Sequence, residues 1–190
     1  MKRLGLATEL AIAAVLSLLM IATRGTHWAT IDALPSASWA VFFVAGVFLR
    51  PAAFFALFFA LASAIDFALL GAGRISDWCV SPAYWALLPA YGALWSAGRL
   101  YARAHRDRAA SLLPLGLCLI GGASLAYLCS GGGFYFFSGR YPDPTLAGFL
   151  PRVAHYLPSS LGTLALYVGF AAIAHVALRA ARGDALGVGT

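Results

Sequence analysis

Residues 51–70 read PAAFFALFFALASAIDFALL, twenty positions with a single charge, Asp66. About 20 apolar residues carry an α-helix across the hydrocarbon core of a bilayer. A run this long and uniform is not the one-sided stripe of a helix resting on a soluble core. Similar runs flank it. Upstream lie Leu4–Ala22, with Glu9 in its first half, and a shorter stretch, Ser36–Leu49, closed by Arg50-Pro51. Downstream lie Ser81–Gly98, Ser111–Leu128 and Ser159–Leu178, the last containing His175. With Pro51–Leu70 as the third, the pattern predicts six membrane-crossing helices. The second is short for a bilayer, and its Arg50-Pro51 end reads as a tight turn or a kink.

Composition points the same way. Of 190 residues, 62% are hydrophobic and 11% charged, and the mean hydropathy is +0.83. A soluble domain carries about 25% charged residues, and a globule of this size has no interior large enough for such an apolar excess. A water-soluble domain is excluded. The net charge of +6 is spread over short segments between apolar runs, which excludes a nucleic-acid reader with one basic face. Three cysteines do not make a disulfide framework. The expected molecule is an all-α integral membrane protein, one transmembrane domain over residues 1–190.

Only Lys2 and Arg3 precede the first apolar run, and no small-residue cleavage site follows it, so it reads as a retained helix and not a signal peptide. There is no linker, low-complexity tract or internal repeat. Gly131-Gly132-Gly133 is the one local bias, and it falls in the longest expected loop.

Six spans place Lys2, Arg3, Arg50, Arg99, Arg103, Arg106, Arg108, Arg179 and Arg182 on one side, and Arg24, Arg74, Arg140 and Arg152 on the other. Basic residues favour the cytoplasmic side, so both termini are expected there. The three outer connections, about 23–35, 71–80 and 129–158, are longer and hold Trp28, Trp78, Phe134 to Phe137, Tyr141 and Tyr156. Long structured loops carry binding sites. The outside is the expected working face.

A carboxylate inside a span costs about 2.5–3.5 kcal/mol on insertion scales and so needs a reason. Asp66 lies about 6 Å below the outer end of its helix at 1.5 Å per residue. Cys79 precedes the fourth span, Tyr84 opens it, and Arg152 with His155 leads into the sixth. The topology brings these five to one depth, with His27 in the first outer loop. Each also has a plain structural reading: an Asp66–Arg152 clamp between helices, Tyr84 as an interfacial aromatic, Arg152 snorkelling from a helix start, and His27 and His155 as ordinary interface residues.

Cys118 lies mid-span and reads as a small core residue. Cys79, in the stretch Asp77-Trp-Cys-Val-Ser-Pro82, has two readings. One is a disulfide with Cys129, which a non-cytoplasmic location permits. The other is a thiolate favoured by the adjacent helix start, acting as ligand or nucleophile. A lone cysteine suits bare zinc poorly, but suits a corrinoid or haem that brings its own equatorial ligands and needs one axial donor.

The six-span layout, the Phe/Ala-rich third helix with Asp66, and the segment Arg74-Ile-Ser-Asp-Trp-Cys-Val-Ser-Pro-Ala-Tyr84-Trp resemble the BtuM family over essentially the whole chain. These are small bacterial inner-membrane proteins assigned to vitamin B12 uptake, related to the substrate-binding S-components of energy-coupling-factor transporters. The resemblance implies an S-component-like six-helix bundle with a cobalamin cavity open to the outside. Cys79 would be an axial ligand of the cobalt, with Asp66, Tyr84 and Arg152 around the ring, and His27 and His155 as further contacts. A soft thiolate suits Co(III), and the corrin's rim amides need hydrogen-bond partners. The resemblance further implies that Cys79 displaces an upper ligand such as cyanide and assists reduction of the cobalt. S-components dock through small residues on the first helix, and Ala7 and Ala11 offer one such step. The chain has no phosphate-binding Gly-x-x-x-x-Gly-Lys loop, so uptake relies on an energy-coupling-factor ATPase module or proceeds without one.

Two membrane-enzyme readings compete. Ser124 and His175 are a serine and a histidine of rhomboid-protease type, but the topology separates them by roughly 15 Å in depth. A haem or quinone protein needs histidines facing each other within the bundle. His27 and His155 are expected outside, with His105 and His175 towards the cytoplasm, so only the outer two are expected to meet.

Overall fold

The computed structural model describes residues 4–24, 34–74, 81–106 and 109–187. Those residues form six α-helices and no strand: α1 (Leu6–Thr23), α2 (Ser38–Phe48), α3 (Ala53–Gly71), α4 (Leu87–Ala104), α5 (Leu112–Phe137) and α6 (Leu146–Gly187). A 3₁₀ turn, Pro82–Ala86, runs straight into α4. Four helices are long and apolar enough to cross a membrane: α1, α3, α5 and α6 over Leu146–Ala181. Their outward sides are apolar: Leu10, Leu18, Leu57, Leu117, Ile120 and Phe170 are among the large side chains left exposed. Aliphatic side chains turned outward along spanning-length helices mark a multi-pass membrane protein.

The short second helix is the centre of the bundle. Its residues Ala40 to Gly46 are all buried, as an all-round apolar helix requires. Phe42 stacks on Tyr91 at 4.1 Å and meets Phe55 and Phe58 edge-on at 5.4 and 6.3 Å. Leu49 leaves α2 in an extended conformation, and the Pro51 carbonyl accepts from the Phe54 amide at 3.1 Å to start α3. The expected turn at Arg50-Pro51 is thereby a sharp corner, and the Arg99 guanidinium donates to the Arg50 carbonyl across it.

Two glycines set the packing of α2 on α4. A Cβ on Gly46 would collide with the Trp95 carbonyl, and one on Gly98 would collide with the Phe43 carbonyl. The two backbones therefore touch, as small residues permit between membrane helices. Gly122 of α5 approaches α4 through a side chain instead, a Cβ there falling 2.8 Å from the Ala97 methyl.

One expectation is corrected. Gly131-Gly132-Gly133 is not loop: α5 runs through it to Phe137, and α6 begins at Leu146, so the expected connection 129–158 shrinks to 138–145. Packing overrides the poor helix propensity of glycine. Gly133 has no room for a Cβ beside Ala86, and a Cβ on Gly132 would meet the Phe149 ring at 3.5 Å and one on Gly131 the Tyr127 ring at 3.0 Å. The early start of α6 takes in Pro151 and Pro158.

Candidate functional site

The ends of α1, α3 and α5 meet the starts of α2, α4 and α6 at one end of the bundle. Arg24 follows the last turn of α1 with an extended backbone, which turns its side chain across the bundle. Its Nε donates to Asp66 Oδ1 at 2.7 Å and its Nη2 to Asp66 Oδ2 at 2.6 Å. Nη1 donates to Ser38 Oγ at 2.8 Å and to the Tyr91 hydroxyl at 3.0 Å. The planar fork of arginine matches a carboxylate in this two-pronged way. The Tyr84 hydroxyl adds a third hydrogen bond to the carboxylate, 2.9 Å from Oδ2. The pair is nearly sealed, with side-chain exposures of 8% for Arg24 and 13% for Asp66. Burial works against the Arg24 charge, but the Tyr91 hydroxyl and Asp66 outweigh it and hold the guanidinium above its ordinary pKa.

A second cluster stands beside the first. Arg152, in the second turn of α6, donates from Nη1 to the Tyr141 hydroxyl at 3.1 Å. Its guanidinium lies 4.5 Å from the Tyr141 ring centre and 5.2 Å from that of Tyr135, within cation–π range. The Tyr127 hydroxyl donates to the Arg152 carbonyl at 3.1 Å, and Phe149 stacks between Tyr127 and Tyr135 at 6.2 and 5.6 Å. Gly133 against Ala86 joins this cluster to the 3₁₀ turn that carries Tyr84.

The structure thus brings Asp66 and Tyr84 together, as the topology implied. Arg152 is at the same end but in the neighbouring cluster. The partner of Asp66 is Arg24 and not Arg152, because Arg24 leaves α1 directly opposite Asp66 while Arg152 is held by tyrosines. Arg24, Ser38 and Tyr91 were absent from the expected site. The signal for Arg24 was present: a buried carboxylate needs a cation at its own depth, and Arg24 stands one residue past an apolar helix. His155 is exposed on α6 with its ring 4.7 Å from that of Tyr156. Cys79 and His27 lie outside the described residues. Cys118 and Cys129 are partly buried free thiols on α5. Ala7 and Ala11 are exposed on α1. Among the described residues no group of three or more metal-ligating side chains gathers.

The histidine expectation also changes. His105 and His175 meet at the opposite end of the bundle with ring centres 6.2 Å apart, His175 being packed on Phe48 of α2.

No protein-family profile matches the chain, and no curated protein matches it.

Proposed function

We propose that this chain is a six-span protein of a bacterial inner membrane, with both termini in the cytoplasm, that captures cobalamin at its outer end and mediates its uptake. The observation that carries the reading is the hydrogen bond from Tyr84 to the buried Asp66–Arg24 pair. It pins the end of α3 to the 3₁₀ turn, and so fixes both flanks of the stretch holding Cys79 beside one charged network. Next to it, the partly exposed Tyr141 ring and Arg152 guanidinium combine flat apolar surface with N–H donors, the chemistry that a large ring with an amide-bearing rim requires.

In the six-span assignment the 3₁₀ turn and α4 together make one crossing. Their 5 and 18 residues rise about 37 Å at 2.0 and 1.5 Å per residue. The 11 residues of α2 rise about 16 Å and cross inside the bundle, away from lipid. Arg50, Arg99, Arg103, Arg106 and Arg179 gather at the end away from Asp66, which favours that end as cytoplasmic.

On this reading Tyr84, Arg152, His27 and His155 surround the corrinoid, Asp66 stands behind Tyr84 in its pair with Arg24, and the Cys79 thiolate takes the upper axial position of Co(III). Cyanide leaves as the displaced ligand and the cobalt keeps its oxidation state. Exposed Ala7 and Ala11 offer a docking step for an energy-coupling-factor ATPase module, if one is used. The test is the visible spectrum of the purified protein after incubation with cyanocobalamin, beside Cys79→Ala. Retained colour with a shifted spectrum, lost in the variant, supports capture with sulfur on cobalt. A colourless wild type overturns cobalamin capture and moves a membrane enzyme into its place. Identical spectra for both retain binding and remove the thiolate role.

A further inference from the structure

The end of the bundle opposite Asp66 holds a cavity that the uptake reading does not use. It has a volume of about 660 Å³ and lies between α2, α4, α5 and α6, within the range of about 300–1,000 Å³ typical of small-molecule sites. Its depth is apolar, with Phe43, Val47, Leu115 and Val168 among the walls. Its rim is cationic and polar. Arg106 and Arg179, both exposed, stand on it with His105 and His175. Tyr101 bonds His105 Nδ1 at 2.8 Å, and Phe48 packs on His175 at 5.6 Å, so the two rings are held in place. The Arg106 end of the rim is also fixed, because its backbone N–H donates to the buried Ser111 hydroxyl at 2.8 Å. A neighbouring depression, sharing Val47 and Phe48, adds Arg50, Arg99 and Arg103. Among the described residues no acidic side chain lines either one.

An apolar depth beneath an arginine rim fits an amphiphile with an anionic head. We propose that this cavity is a binding site for an anionic phospholipid, its phosphate between Arg106 and Arg179 and an acyl chain along the Phe43–Val168 wall. Two features favour a lipid over a water-soluble anion. The exposed side chains of α5 and α6 next to the cavity, Leu112, Leu113, Ile173 and Val176, are apolar, so it adjoins the surface that faces the bilayer. Arg106 follows the end of α4 and Arg179 lies two residues before the end of the apolar stretch of α6 at Ala181, the level of the headgroups, and basic pockets between membrane helices recognise phosphate headgroups there. The proposal stands apart from cobalamin capture, since none of its residues belongs to the Asp66 end.

The test is native mass spectrometry of the detergent-purified chain with dioleoyl phosphatidylglycerol, with phosphatidylcholine of the same chains, and with inorganic phosphate. Retention of phosphatidylglycerol alone is expected. At about fivefold per arginine, the double variant Arg106→Gln/Arg179→Gln weakens it roughly 30-fold. Ala172→Trp, which fills the cavity and leaves every charge in place, is expected to abolish it, separating a seated lipid from diffuse attraction. Equal retention of phosphatidylcholine, undiminished binding in either variant, or binding of inorganic phosphate without lipid would overturn the assignment.

Discussion

Arg24 and Asp66, 42 positions apart in sequence, face each other through two parallel N–H···O bonds of 2.7 and 2.6 Å. The geometry makes one charge useless without the other. Removing one partner of a buried pair leaves an uncompensated charge at about 3–5 kcal/mol, whereas replacing both with apolar groups of similar size is often nearly neutral.

Asp66→Asn is therefore expected to destabilise the protein in detergent by about 3–5 kcal/mol, and Arg24→Met/Asp66→Leu to recover most of that loss. Unfolding in mixed micelles measures both. A double-variant loss equal to the sum of the Arg24→Met and Asp66→Leu losses would show that the pair is not coupled.

Gly98→Ala and Gly92→Ala form a matched contrast on α4. Gly98 touches the Phe43 carbonyl, while a Cβ on Gly92 meets nothing within 4 Å. The first is expected to cost about 1–3 kcal/mol by overpacking. The second is expected to gain up to about 1 kcal/mol from helix propensity. Thermal unfolding of the two variants, side by side, should move in opposite directions.

Gly133→Ala is expected to push Ala86 and displace the 3₁₀ turn with Tyr84, because the two positions have no room for both methyls. Helix content by circular dichroism should stay constant while cobalamin retention falls at least tenfold, about 1.4 kcal/mol. Adding Ala86→Gly makes the space again and should restore retention. No recovery would mean that the turn does not transmit the change.

Arg152→Lys should restore only part of what Arg152→Ala loses. Lysine keeps the charge near Tyr135 and Tyr141 but not the flat guanidinium that lies against them. A loss of about 1–2 kcal/mol is expected for alanine. The near-UV dichroism of the tyrosine cluster reports the local disorder directly.

Much of the helical layout was readable from apolar runs, since span length is a property of one segment and the bilayer alone. The meeting of Asp66 and Tyr84 was likewise readable, because alternate crossings place every second helix end on one side. The partner of Asp66 was not read. Choosing among Arg24, Arg74 and Arg152 depends on which helices are neighbours, and nothing local encodes that. Glycine misled for a similar reason. A triple glycine signals a loop by propensity, but here it is the close seat of Ala86, Phe149 and Tyr127 on α5. His105 meets His175 where that ring packs on Phe48 of α2, a tertiary fact invisible in their spacing.

The glycine contacts divide the bundle unevenly. At Gly46 and Gly98 the backbones of α2 and α4 touch, and at Gly122 α5 closes on the Ala97 methyl of α4, so these three helices form a tight spindle. The seam with α1 and α3 runs along α2, and α6 packs on α2 and α5. Arg24 sits on that seam, with two prongs on α3 and one amino group on the spindle at Ser38 and Tyr91. The same guanidinium that neutralises a carboxylate is thus the tie that holds the ends of α1 and α3 to the spindle.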